Sequence, residues 1–160
     1  MNRDGFTLTE ILIVICLFAI LLRLATIPFS NWNAKNKIET QFRTMYSDIL
    51  GVRTQALYQK KSRTVTFTTT GYSIYSSSNT SVSPRKTITL KVPVTTVPNN
   101  LQINFDQMGA AFNNATSTNY ICVQSNSSKA VINSIILSAT RIQLGSLSGS
   151  GCSSANIKPQ

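Results

Sequence analysis

The stretch that decides how this chain is read runs from Arg3 to Arg23: "RDGFTLTEILIVICLFAILLR". From Phe6 to Leu22 the only polar residues are Thr7, Thr9 and Glu10, and Ile11–Leu22 is unbroken apolar sequence. At ~1.5 Å per residue a helix over 6–22 spans about 25 Å, close to the hydrocarbon core of a bilayer. Arg23 ends the run, where its stem can cover apolar surface while the guanidinium reaches water. Glu10 sits just inside the front edge. An ionisable group inside such a segment is read first as functional, with a partner to be named.

A cleaved secretory signal would place small residues at a cleavage site after the apolar run. Here Arg23 and Leu24 follow it, and no convincing A-x-A site appears before Pro28. The segment is therefore expected to be retained, with any processing ahead of it at Gly5. On these residues, "GFTLTE" (5–10) followed by an apolar run, the chain resembles the type IV pilins and the type II secretion pseudopilins. The resemblance implies that a prepilin peptidase cuts after Gly5 and that Phe6 becomes an N-methylated terminus. It also implies that Glu10, fifth in the mature chain, neutralises the terminal amine of a neighbouring subunit in the filament core. An unpaired carboxylate in a low-dielectric bundle is penalised, so a paired one selects the axial register.

Pro28 is expected to break or kink the helix, because it lacks an N–H and clashes with the preceding turn. A second helical stretch then reads from about Asn31 to Lys61. Ile38, Phe42, Met45, Ile49, Val52 and Ala56 recur at spacings of four and three and mark one face. Tyr46, Leu50 and Leu57 widen that stripe, and it is expected to pack on a sheet. Strand signals follow. "RTVTFTTTGYSIYSS" (63–77) reads as a hairpin turning near Gly71, and "KTITLKV" (86–92) places Ile88, Leu90 and Val92 on one face. Further strands are expected at "LQINF" (101–105), "NYICVQ" (119–124), "AVINSIILS" (130–138) and "TRIQLG" (140–145). Pro93 and Pro98 punctuate between them, and the tail after Gly145 would be loose without an anchor at Cys152.

The expected class is α+β: a long N-terminal helix, half membrane-spanning and half amphipathic, packed on an antiparallel sheet domain. The divisions are a leader 1–5, an assembly helix 6–27, an amphipathic helix 28–61 and a β domain 62–160. The pattern "INFDQMG…YICVQ…IILSATRIQLG…C" resembles minor subunits of the GspH/FimT/FimU type, with Phe105 and Gly109 matching an F-x-x-x-G turn. Ala139-Thr140-Arg141 departs from the late Gly-Arg hairpin of that type.

Of three cysteines, Cys16 lies in the apolar run. Cys122 and Cys152 could close a disulfide in an oxidising compartment, worth roughly 3.5–4 kcal/mol for a loop of about 31 residues; otherwise they are two buried thiols. Histidine is absent, which excludes Ser-His and Cys-His catalysis and the commonest metal ligand. Beyond residue 27 the carboxylates are Glu39, Asp48 and Asp106, with no close pair for acid–base work; Asp106 reads as a turn residue. No enzyme, cofactor or metal site is expected.

The formal charge of +10 favours anionic partners without choosing among them. Some FimT-like pilins bind DNA, and here Lys60, Lys61, Arg63, Arg85, Lys86 and Arg141 are the candidate contacts. A patch must converge in space to neutralise several phosphates, and aromatic residues for base stacking are not interleaved. A solvated helix end and loop is the favoured account. The reading is a non-catalytic minor pilin of the tip or priming complex that supports pilus assembly. Its partners would be major and minor pilins, the peptidase and, before assembly, inner-membrane lipid, with the C-terminal domain in the periplasm and the fibre at the cell surface. The alternatives are a type II secretion pseudopilin and a DNA-binding pilin.

Overall fold

In the computed structural model, residues 6–112, 118–125 and 130–160 are described, the side chains of 24–28 excepted. Gly5 therefore lies outside the described residues. The chain forms two compact units, Met1–Ala34 and Lys35–Gln160. A helix, α1 (Leu8–Gln59), begins two residues later than Phe6 and continues through Pro28. The expected break does not occur: a proline forfeits one i→i−4 bond at a cost of about 3 kcal/mol, and the ladder resumes beyond it.

The C-terminal unit is built around the predicted seam. Ile38, Phe42, Met45, Ile49, Val52 and Ala56 are all buried, Phe42, Met45 and Ala56 completely. Successive four- and three-residue steps keep each of them on the same side of a 3.6-residue turn. The helix ends at Gln59. Lys60 adopts a left-handed conformation (φ 50°), and the Lys61 N–H donates back to the Ala56 carbonyl at 3.3 Å. This is the wrap of a Schellman-type stop, with lysine where glycine is usual.

Two five-stranded antiparallel sheets follow, where one sheet domain was expected. The first contains β1 (Arg63–Thr68), β2 (Gly71–Tyr75), β3 (Lys86–Thr89), β5 (Gln102–Phe105) and β6 (Ala111–Phe112), in the order β3-β2-β1-β5-β6. The second contains β4 (Val94–Val97), β7 (Thr118–Val123), β8 (Ser134–Ser138), β9 (Ile142–Leu147) and β10 (Ile157–Pro159), in the order β10-β9-β8-β7-β4. The hairpin read around Gly71 is present, with Val65 opposite Ile74 and Phe67 opposite Tyr72. Its tip joins the sheets: the Val94 N–H of β4 donates to the Thr69 carbonyl at 2.9 Å. Strand β8 starts at Ser134, short of the expected Ala130, because buried Asn133 bonds backbone with its side chain. Its Nδ2 donates to the Ala130 carbonyl at 2.9 Å and its Oδ1 accepts the Leu147 N–H at 2.6 Å, a local alternative to the ladder.

The core joins the helix seam to Val65, Phe67, Tyr72, Ile103 and Phe105 of the first sheet and to Val94, Ile121, Cys122, Ile135 and Leu137 of the second. Polar side chains on the flanks of the helix pin the loops around it. Gln41 Oε1 accepts the N–H groups of Lys91 and Val92, each at 2.9 Å, and its Nε2 donates to the Val92 carbonyl at 2.7 Å. Glu39 accepts the Val131 N–H at 3.0 Å. Asp106 caps its own turn by accepting from Met108 and Ala110 at 2.9 and 2.8 Å. That turn needs glycine at 109: φ is +71°, and a Cβ there would stand 2.8 Å from the Leu57 side chain.

Cys122 and Cys152 form a disulfide, with Cα atoms 5.7 Å apart. It ties the polar tail to β7, and the tail adds β10 beside β9. Reduction should lower unfolding free energy by roughly 3–4 kcal/mol from the loop it opens. Thermal melts with and without reductant check this; superimposable melts contradict it.

Candidate functional site

The N-terminal unit presents apolar side chains on every face of its helix. Ile11–Ile15, Leu17, Phe18 and Ile20–Leu22 are between 45% and 67% exposed, and Phe6 ahead of them is 80% exposed. A soluble helix buries one stripe and wets the other; a helix that is apolar all round belongs inside lipid or a bundle. Among the described residues no helix is long and apolar enough to cross a membrane. Of the expected spanning segment 6–27, the unbroken apolar part is Ile11–Leu22, about 18 Å of helix, closed by Arg23.

Glu10 stands in the first turn of this helix, exposed, where a carboxylate complements the positive end of the helix dipole. The Glu10 N–H donates to both the carbonyl and the Oγ1 of Thr7, at 3.2 and 3.3 Å. Thr7 is therefore the N-cap and Glu10 the third helical residue, the spacing of a capping box. The signal, Thr-x-x-Glu ahead of an apolar run, is plain in the sequence.

The six candidate basic residues do not form one patch. Arg141 lies in the β8–β9 turn, where its carbonyl accepts the Ser138 N–H at 2.8 Å. Lys60 and Lys61 are exposed at the helix end. Arg63, expected at the surface, is 3% exposed. It alternates inward with Val65 and Phe67 on β1, so its side chain enters beneath the helix C-terminus, and Nη2 donates to Gln59 Oε1. Its Nε and Nη1 have no partner. Burial, and then the charge of Arg85, hold its pKa below the ordinary guanidinium value. Arg85 donates to Gln55 Oε1 at 3.1 Å, one turn before Gln59 on the helix.

Lys86 pairs with Asp48 at 3.3 Å. Asp48 also accepts the Tyr72 hydroxyl at 2.6 Å. Burial first, then the hydrogen bond to Asp48 and its charge, push the Tyr72 phenol well above its ordinary 10.0. Arg63, Arg85 and Lys86 thus converge along Asp48, Gln55 and Gln59 of the helix, while the other three candidates stand apart from these bonds. Among the described residues no group of three metal-ligating side chains occurs.

No family model matches the sequence, and no curated protein matches it. Its fold is similar to the crystal structure of the type IV minor pilin FimU of Pseudomonas aeruginosa (strain PAO1) in space group P21. The TM-score is 0.58 at 14% identity, covering 77% of this chain and 97% of that one. A second crystal form of FimU, in P65, gives a TM-score of 0.52 at 15% identity, covering 72% of this chain and 96% of that chain. The chain has the α+β fold of a type IV minor pilin, a long N-terminal helix followed by antiparallel sheets.

The Tyr72–Asp48 contact gives a pH dependence with a definite sign. A phenol whose folded pKa is raised binds its proton more tightly in the folded state, so its contribution is intact below the unfolded value near 10.0 and is lost as pH rises above it. Denaturant melts between neutral pH and pH ~11 should therefore show an alkaline loss of stability that Tyr72→Phe reduces. An unchanged alkaline slope in the variant contradicts it.

Proposed function

We propose that this chain is a non-catalytic minor pilin, inserted into a type IV pilus near its tip as part of a priming complex. The observation that carries the proposal is the helix over Ile11–Leu22, apolar and exposed on every face, with the Glu10 carboxylate just ahead of it. Such a surface is covered either by lipid or by other helices of the same kind. The chain would rest first in the inner membrane, with the β domain in the periplasm, and then exchange lipid for neighbouring subunits. Cleavage after Gly5 would leave the Phe6 amine, methylated in this reading, a few residues ahead of Glu10. A Glu10 carboxylate set against the terminal amine of the next subunit would compensate both charges inside the bundle and fix the stagger between copies. The FimU-like fold supports this reading.

Replacing Glu10 by Ala removes a charge-assisted contact of about 1.5–3 kcal/mol, so incorporation into fibres should fall at least about tenfold. Membrane-fractionated cells should still hold the variant, since the apolar run is intact. Immunoblots of sheared fibres against membranes measure the ratio, and fibre levels equal to wild type would overturn the register role.

A further inference from the structure

The C-terminal half of α1 and the β2–β3 junction bound a groove of about 190 Å³, whose lining includes Asp48, Gly51, Gln55, Arg85 and Lys86. Its charges do not balance. Asp48 is already engaged by the Tyr72 hydroxyl and by Lys86. Arg85 has a neutral partner, Gln55. Nearby, Arg63 is buried with two N–H-bearing nitrogens unpartnered, and its bonded partner Gln59 lies one helical turn beyond the Gln55 that holds Arg85. A buried, half-satisfied guanidinium is costly to keep. The other described carboxylates of this unit are committed elsewhere, Glu39 to the Val131 N–H and Lys35, Asp106 to its own turn. No other side-chain carboxylate described in this unit is left to meet Arg85.

Gly51 adds an independent observation. Glycine inside a helix costs up to about 1 kcal/mol relative to alanine, and here no atom lies within 4 Å of where a Cβ would stand. Internal packing therefore does not exclude a side chain at 51. What glycine provides is an open wall to the groove.

We propose that this groove receives a carboxylate side chain of a neighbouring subunit, with Arg85 as its direct partner and Arg63 as the fixed charge behind it. An acidic side chain suits the site better than a nucleic-acid strand. The space is about that of one side chain, and the lining offers no aromatic face on which a base could stack. Arg85 is exposed and already extended along the helix by Gln55, so little side-chain order is lost on binding. The proposal rests on the assembly reading only for the source of the acid; its test needs no fibre and can fail separately.

The test uses the full chain in neutral detergent with fluorescent poly-L-glutamate as the probe. Poly-L-glutamine and a single-stranded oligonucleotide serve as comparisons, at ~0.15 M salt to screen diffuse attraction. Arg85→Gln and Arg141→Gln remove the same charge at different places. Arg85→Gln should weaken polyglutamate binding at least about tenfold, as loss of a specific charge partner does, and Arg141→Gln less than about twofold. Gly51→Leu, which alters no charge, should weaken it as well. Melting curves confirm that each variant is folded. Equal losses from the two arginine variants, or no polyglutamate binding by the wild type, overturn the site. Tighter oligonucleotide binding with the same Arg85 dependence overturns the choice of a carboxylate.

Discussion

Apolar surface left exposed along the described N-terminal helix is the constraint on which the rest of this molecule turns. Over Leu8–Leu22 the helix satisfies its own backbone but leaves its side chains exposed on every face. Water is a poor solvent for that surface, at roughly 25 cal/mol for each Å². The segment is more stable in an apolar surrounding, and the role proposed for Glu10 is to select one arrangement of it. Thr7 caps the first turn by accepting the Glu10 N–H.

The C-terminal half of the same helix meets the opposite condition. Its seam from Ile38 to Ala56 is covered by two sheets, and the flanks of the seam carry a row of short polar ties. Gln41 holds the loop after β3, Asp48 holds Tyr72 and Lys86, Gln55 holds Arg85 and Gln59 holds Arg63. Each tie fixes a loop or strand end that apolar contact alone would leave free to slide. The groove at Arg85 is a by-product of this row: three basic side chains reach toward the helix, and only one carboxylate meets them.

Much of this was legible in the sequence. The four-and-three spacing from Ile38 onward identified the buried face residue by residue, since only a helix returns those positions to one side. The Val65–Phe67 and Tyr72–Ile74 alternation identified the first hairpin. Other features were less readable. Strand β4 is bracketed by Pro93 and Pro98, which read as punctuation; it is an edge strand, where proline does little harm. Strand β10 ends in Pro159 at the opposite edge of the same sheet, and its three residues, with Ile157 alone buried, are too few to show an alternation. Strand β6 is two residues long, below what any alternation can reveal. The division into two sheets depends on long-range pairings such as β1 with β5 and β4 with β7, which leave no local trace. Arg63 misled because charge predicts exposure, whereas its place in the inward register of β1, two residues before Val65, predicts burial. Of the basic candidates, the sequence located each residue but not the convergence of Arg63, Arg85 and Lys86, which sequence distance conceals.

The register proposed for Glu10 requires a new terminal amine at Phe6, two residues ahead of the helix that starts at Leu8. Mass spectrometry of the N-terminal peptide from native, membrane- or fibre-derived protein tests this directly. The account predicts a peptide starting at Phe6 and carrying one methyl group; a terminus still at Met1, or one beyond the apolar run, would contradict it.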